Sequence, residues 1–174
     1  MSQKKKFCLL GISLIYFILN PSYVYSEAKL LITSDGTYNN TVDREGNYGI
    51  EGTGSPNIVV TNSATLTATQ FDGFFSCCGG TVEFDNSGTV TGIRNGIGQF
   101  GGTSNFVNTG DITATGSSDG QGIGIYNSGN GSINNSGTSS GREGIKHRGG
   151  SATIINSGTL TGSVIDINND GTIS

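Results

Sequence analysis

The chain has 174 residues, of which Gly, Ser, Thr and Asn make up 88, while charged residues account for only 13%. That composition belongs neither to an average globular enzyme nor to a highly charged disordered segment. With one His, no Trp and one Met, multi-histidine metal centres are excluded and any His-dependent triad is confined to His147.

The first residues run Lys4-Lys5-Lys6, then a largely apolar stretch from Phe7 to Leu19, then Asn20-Pro21 and the small residue Ser26. Basic, apolar and small-residue regions in that order predict a signal peptide over residues 1–26, cleaved after Ser26. The apolar stretch is too short for a membrane-spanning helix, which needs about 20 residues. Cleavage leaves six basic against thirteen acidic side chains, a net charge of −7. An acidic exported chain without a basic stripe does not neutralise phosphates, so nucleic acid is not an expected partner.

Residues 27–57 contain a polar run from Thr33 to Pro56 and are expected to form an N-terminal cap over the exposed strand edges of the adjoining repeats. From 58 to 174 one pattern recurs, Asn-Ser-Gly-x-aliphatic-Thr, beginning at Asn62, Asn86, Asn108, Asn135, Asn156 and Asn169, with a weaker copy at Asn127. Successive starts lie 24, 22, 27, 21 and 13 residues apart. Two residues before each Asn stand Val60, Phe84, Phe106, Ile133, Ile154 and Ile167; four after it stand Leu66, Val90, Ile112, Ser139, Leu160 and Ile173; a hydroxyl follows every time. Biased composition alone does not align such columns.

The segments between the Asn turns are of β-strand length and alternate. The Gly of the motif tolerates positive φ at a sharp bend. Gly96-Ile97, Gly122-Ile123 and Gly144-Ile145 mark a second bend in each repeat. A unit of about 22 residues cannot bury its apolar side alone, but units stacked at about 4.8 Å put each column in line. The inward column is then Val60, Phe84, Phe106, Ile133, Ile154 and Ile167. Asn62, Asn86, Asn108, Asn135, Asn156 and Asn169 form a structural column whose amides hydrogen-bond above and below. The expected class is all-β, a parallel β-solenoid over residues 58–174, short and incomplete at its C-terminal end.

A signal peptide followed by repeated Asn-Ser-Gly-Thr-[Ile/Leu/Val]-Thr with downstream Gly-Ile resembles the passenger regions of bacterial autotransporters. The resemblance covers residues 58–174 and implies a right-handed parallel β-helix displayed on the cell surface or released, acting in adhesion. Autotransporters end in a membrane barrel of at least eight strands, and the sequence stops inside a repeat at Ser174. It is therefore expected to be a truncated reading frame or to use a separate outer-membrane translocator, without which it stays periplasmic. The open last rung predicts end-to-end self-association by strand addition.

Cys77 and Cys78, adjacent in sequence, leave three readings open: a vicinal disulfide, pairing between chains, or two packed thiols. Arg142, Lys146, His147 and Arg148 form the one basic cluster, read as a solvated loop with an anionic-glycan site as the sharper alternative. Asp85, Asp111 and Glu143 occupy different repeat positions and make no acidic ladder of the polysaccharide-lyase kind; Asp119 is isolated. No metal, cofactor or catalysis is expected. The functional expectation is contact with a host or neighbouring-cell surface, the alternatives being a passive fragment of a disrupted autotransporter and a polysaccharide-processing β-helix enzyme.

Overall fold

A computed structural model describes residues 29–54, 56–169 and 171–173. The predicted signal peptide and its cleavage after Ser26 lie outside the described residues, as does Ser174. The described chain is all-β and parallel, a solenoid of about six turns. Its strands in order are β1 (Leu30–Ile32), β2 (Gly36–Asn40), β3 (Arg44–Gly46), β4 (Ile50–Gly52), β5 (Ile58–Asn62), β6 (Thr65–Ala68), β7 (Phe74–Cys77) and β8 (Thr81–Asn86). There follow β9 (Thr89–Gly92), β10 (Asn95–Asn108), β11 (Asp111–Ala114), β12 (Ile123–Asn135), β13 (Thr138–His147), β14 (Ser151–Asn156), β15 (Thr159–Asn169) and β16 (Thr172–Ile173).

Pairing sorts these strands into three faces. On the first, Leu30, Ile50, Phe74, Ile97, Ile125, Ile145 and Ile167 stand in register. On the second the register runs Tyr38, Val60, Phe84, Phe106, Ile133 and Ile154. On the third it runs Arg44, Leu66, Val90, Ile112, Ser139 and Leu160. Because side chains alternate across a strand, each face turns one such row inward, and the rows meet in a single core that includes Phe74, Phe84 and Phe106. The rings of Phe74 and Phe84, from different faces, have centroids 4.2 Å apart. Ser139 interrupts the third row and stays buried because its hydroxyl donates to the Gly144 carbonyl at 2.8 Å.

Three expectations change. Ile167 does not extend the Val60 to Ile154 row; it pairs with Ile145 on the first face. Asn169 likewise pairs with His147 and not with the Asn62 column. Its short spacing of 13 residues from Asn156 arises because the copy sits at another corner, where Asn169 makes the same local bond, amide to the carbonyl two residues on, at 2.8 Å. Second, residues 30–52 already form a coil in register with the next: Tyr38 pairs with Val60 and Asn40 with Asn62. Third, the row on the first face continues through Gly124-Ile125; Ile123 pairs with Asn95 and Glu143.

The motif glycines also have a different reason for being glycine. Gly88, Gly110, Gly137 and Gly158 do not adopt positive φ. A Cβ on any of them would instead collide with the backbone carbonyl of the preceding coil at Ala64, Gly88, Gly110 and Gly137 respectively. Positive φ occurs instead at the corner between the first and second faces, at Gly79-Gly80, Gly101-Gly102 and Gly149-Gly150, and at Gly120 and Gly122 in the loop between the third and first faces.

Candidate functional site

The Asn turns sit where the second face bends into the third. Each amide donates to the side-chain oxygen of the next coil: Asn40 to Asn62 at 2.8 Å, Asn62 to Asn86 at 2.8 Å, Asn86 to Asn108 at 2.9 Å, Asn108 to Asn135 and Asn135 to Asn156 both at 2.7 Å. The same Nδ2 bonds the carbonyl two residues on, as from Asn108 to Gly110 at 3.1 Å. Two donors and an acceptor of the amides of Asn62, Asn86, Asn108 and Asn135 are thereby used, so the ladder is committed to its own stack and not to a ligand. At its start, Arg44 occupies the aliphatic row and its Nε donates to Asn40 Oδ1 at 2.6 Å.

A second polar row lies on the first face: Ser76, Gln99, Asn127, His147 and Asn169. The first four are buried. It is less well satisfied, since Ser76 Oγ, Gln99 Oε1 and Asn127 Oδ1 lack partners and Asn127 reaches His147 Nδ1 only at 3.5 Å. The weak repeat copy at Asn127 and the last copy at Asn169 thus share one row.

Outside the first face, Tyr48, Phe71, Phe75, Phe100 and Tyr126 form a chain of ring contacts with centroids 4.6 to 5.5 Å apart. Arg94 lies over Phe71, Phe75 and Phe100 and makes two bonds of 2.8 Å to the buried carboxylate of Asp72. Ring faces turned toward one another are not a free platform for a ligand. Burial is the leading influence on Asp72 and raises its pKa above the ordinary carboxylate value, with bonds from Arg94 and Asn95 opposing it. Above about pH 4 the folded state then holds this proton more tightly than the unfolded chain, so Asp72's contribution to stability falls as pH rises through the raised pKa. The melting temperature of the native chain minus that of Asp72→Asn should accordingly fall from acid toward neutral pH, as read by circular dichroism; a rise would refute the assignment.

The basic cluster is dispersed. Lys146 bonds Glu143 Oε1 at 3.1 Å, Glu143 Oε2 accepts from Asn168 at 2.8 Å, His147 is buried, and Arg148 is exposed. Arg142 alone opens on a recess. It lies at the corner between the third and first faces, where register shifts: one residue of β13, Arg142, faces two of β15, Ser163 and Val164. On the other side the chain loops out from Thr115 to Gly122. A tight coil between two wider ones leaves a cleft of about 450 Å³ lined by Ala114, Thr115, Ser117, Arg142, Ser163 and Val164. Arg142 backbone N–H donates to the Gly122 carbonyl at 2.6 Å, and its guanidinium pairs with Asp119 at 2.6 Å. Asp119, isolated in sequence, and Arg142, read there as part of the basic cluster, are partners.

Cys77 and Cys78 are joined by a disulfide, with Cys78 at φ 78°. Asp85 is exposed on the second face and Asp111 on the third, so they do not converge with Glu143. Among the described residues no group of three or more His, Cys, Asp or Glu is placed to hold a metal ion, and no helix is long and apolar enough to cross a membrane. Compared with protein-family models, with curated proteins and with solved structures, the chain matches none of them.

Proposed function

We propose that the chain is an exported β-solenoid of the passenger type, displayed at the cell surface or secreted, that works by adhering to host or neighbouring-cell surfaces. The observation that supports this reading is the unbroken parallel stack of about six turns. The outer row of the third face is polar and repeats with the coil, running Glu45, Thr67, Thr91, Thr113, Ser140 and Thr161. Such a stack offers the same chemistry at many points along one axis, which suits weak contacts made many times over. A separate outer-membrane translocator is part of the proposal.

Adhesion is measured by coating beads with the purified chain and counting those retained on epithelial and bacterial cell layers. Retention several-fold above beads coated with an unfolded variant is the expected result. Equal retention would sink the adhesion reading and favour a passive fragment, and product formation from polysaccharides would favour the enzyme reading.

A further inference from the structure

We infer that the cleft beneath Arg142 is a binding site for a single acidic sugar, a pyranose ring carrying one carboxylate. The inference rests on the surface-contact reading only for where such a ligand would be met; the chemistry comes from the cleft itself.

Two arginines stand two turns apart at the same corner, with the coil that carries the 115–122 loop between them, and their partners differ. The arginine side chains themselves are equally exposed, 27% for Arg94 and 26% for Arg142, but three aromatic rings lie over Arg94 and its carboxylate partner Asp72 has no exposed side-chain surface. Arg142 faces an open recess, and its partner Asp119 has a side chain 95% exposed. An ion pair that open is weak, so exchanging Asp119 for another carboxylate costs little. Asp119 sits on a loop whose Gly120 and Gly122 both take positive φ, while Arg142 is held in place by the Gly122 carbonyl, which also accepts from Glu143 N–H at 3.0 Å. The backbone that carries Arg142 is the fixed member of the pair and the carboxylate on the loop the replaceable one.

The rest of the lining fits the remainder of a sugar. Ser117 and Ser163 present hydroxyls, which both donate and accept, as a polyhydroxylated ring requires; the Thr115 hydroxyl donates to the Gly92 carbonyl at 3.3 Å and is left as an acceptor. Val164, an exposed aliphatic side chain, supplies apolar surface for its C–H face. The cleft volume of about 450 Å³ falls in the range of roughly 300–1,000 Å³ usual for small-molecule sites. A planar guanidinium matches one carboxylate through two parallel bonds. A net charge of −4 over the whole sequence works against polyanions, which selects a singly charged ligand.

The test is titration of the purified full chain, followed by calorimetry and NMR, with D-galacturonate and N-acetylneuraminate as two acidic probes and with galactose and acetate as controls. Saturable binding of at least one acidic sugar is expected, with both controls at least tenfold weaker. R142Q should lose at least tenfold in affinity, and R142K should fall between, since Lys keeps the charge without the fork. D119N, at an exposed position that leaves folding undisturbed, should bind several-fold more tightly because the competing carboxylate is gone. A merely structural role for Arg142 would not produce that gain. Absence of saturation by both acidic sugars, unchanged affinity in folded R142Q, or weaker binding in D119N would each overturn the proposal. Bead adhesion measured on the same variants separates the two ideas: retention that persists with no sugar binding rejects the cleft and keeps adhesion, while sugar binding without retention does the reverse.

Discussion

Phe84→Asp is expected to abolish the folded state, while Glu83→Lys one residue away leaves it intact. Phe84 is 0% exposed, packed against Phe74 and held in register between Val60 and Phe106. Its replacement removes a large side chain, worth about 3–5 kcal/mol, and buries a carboxylate with no cation facing it, which adds several kcal/mol more. The sum rivals the total stability of an ordinary domain, about 5–15 kcal/mol. Glu83 projects outward between Val59 and Asn105 in the same strand register. Far-ultraviolet circular dichroism and limited proteolysis compare the two: variants of equal stability would mean that the strand faces have been exchanged.

Asn108→Ala should cost about 3 kcal/mol, from two or three buried polar groups left unpaired at about 1 kcal/mol or more each. Asn108 accepts from Asn86 at 2.9 Å and donates to Asn135 Oδ1 at 2.7 Å, Gly110 O at 3.1 Å and Thr138 O at 3.0 Å. Asn156→Ala removes the same side chain where the ladder reaches solvent, and water replaces what is lost. Its cost should stay below about 1 kcal/mol. Urea unfolding of the pair measures both costs, and equal values would show that the ladder contributes through its local turn bonds alone.

The Asn, Phe and Ile columns were legible in sequence because stacking at a fixed coil length forces identical side chains into identical surroundings. The rule failed where two corners share a local turn. Asn169 and Gly171 reproduce the Asn-x-Gly geometry at the corner between the first and second faces, and only the 13-residue spacing signals that the register differs. The first coil was hidden for the opposite reason: Asn40 keeps its place, but Thr41 and Val42 replace Ser-Gly and Arg44 replaces the aliphatic residue. The Arg142 cleft was not readable at all. It depends on unequal corner lengths in three adjacent coils, and on Asp119 reaching back across a loop, neither of which leaves a mark in any column.

All five bonds of the Asn ladder run the same way, each amide N–H directed toward the following coil and each oxygen toward the preceding one. A line of aligned amides adds its dipoles as a helix does, with the negative pole at the first coil. That pole is the oxygen of Asn40, and the group that meets it is the guanidinium of Arg44. An aliphatic residue would suit the core row better at that position, but it would leave the ladder's acceptor end without a cation. Among the described residues the ladder thus has a direction, and its acceptor end meets a permanent positive charge where every later coil has an amide.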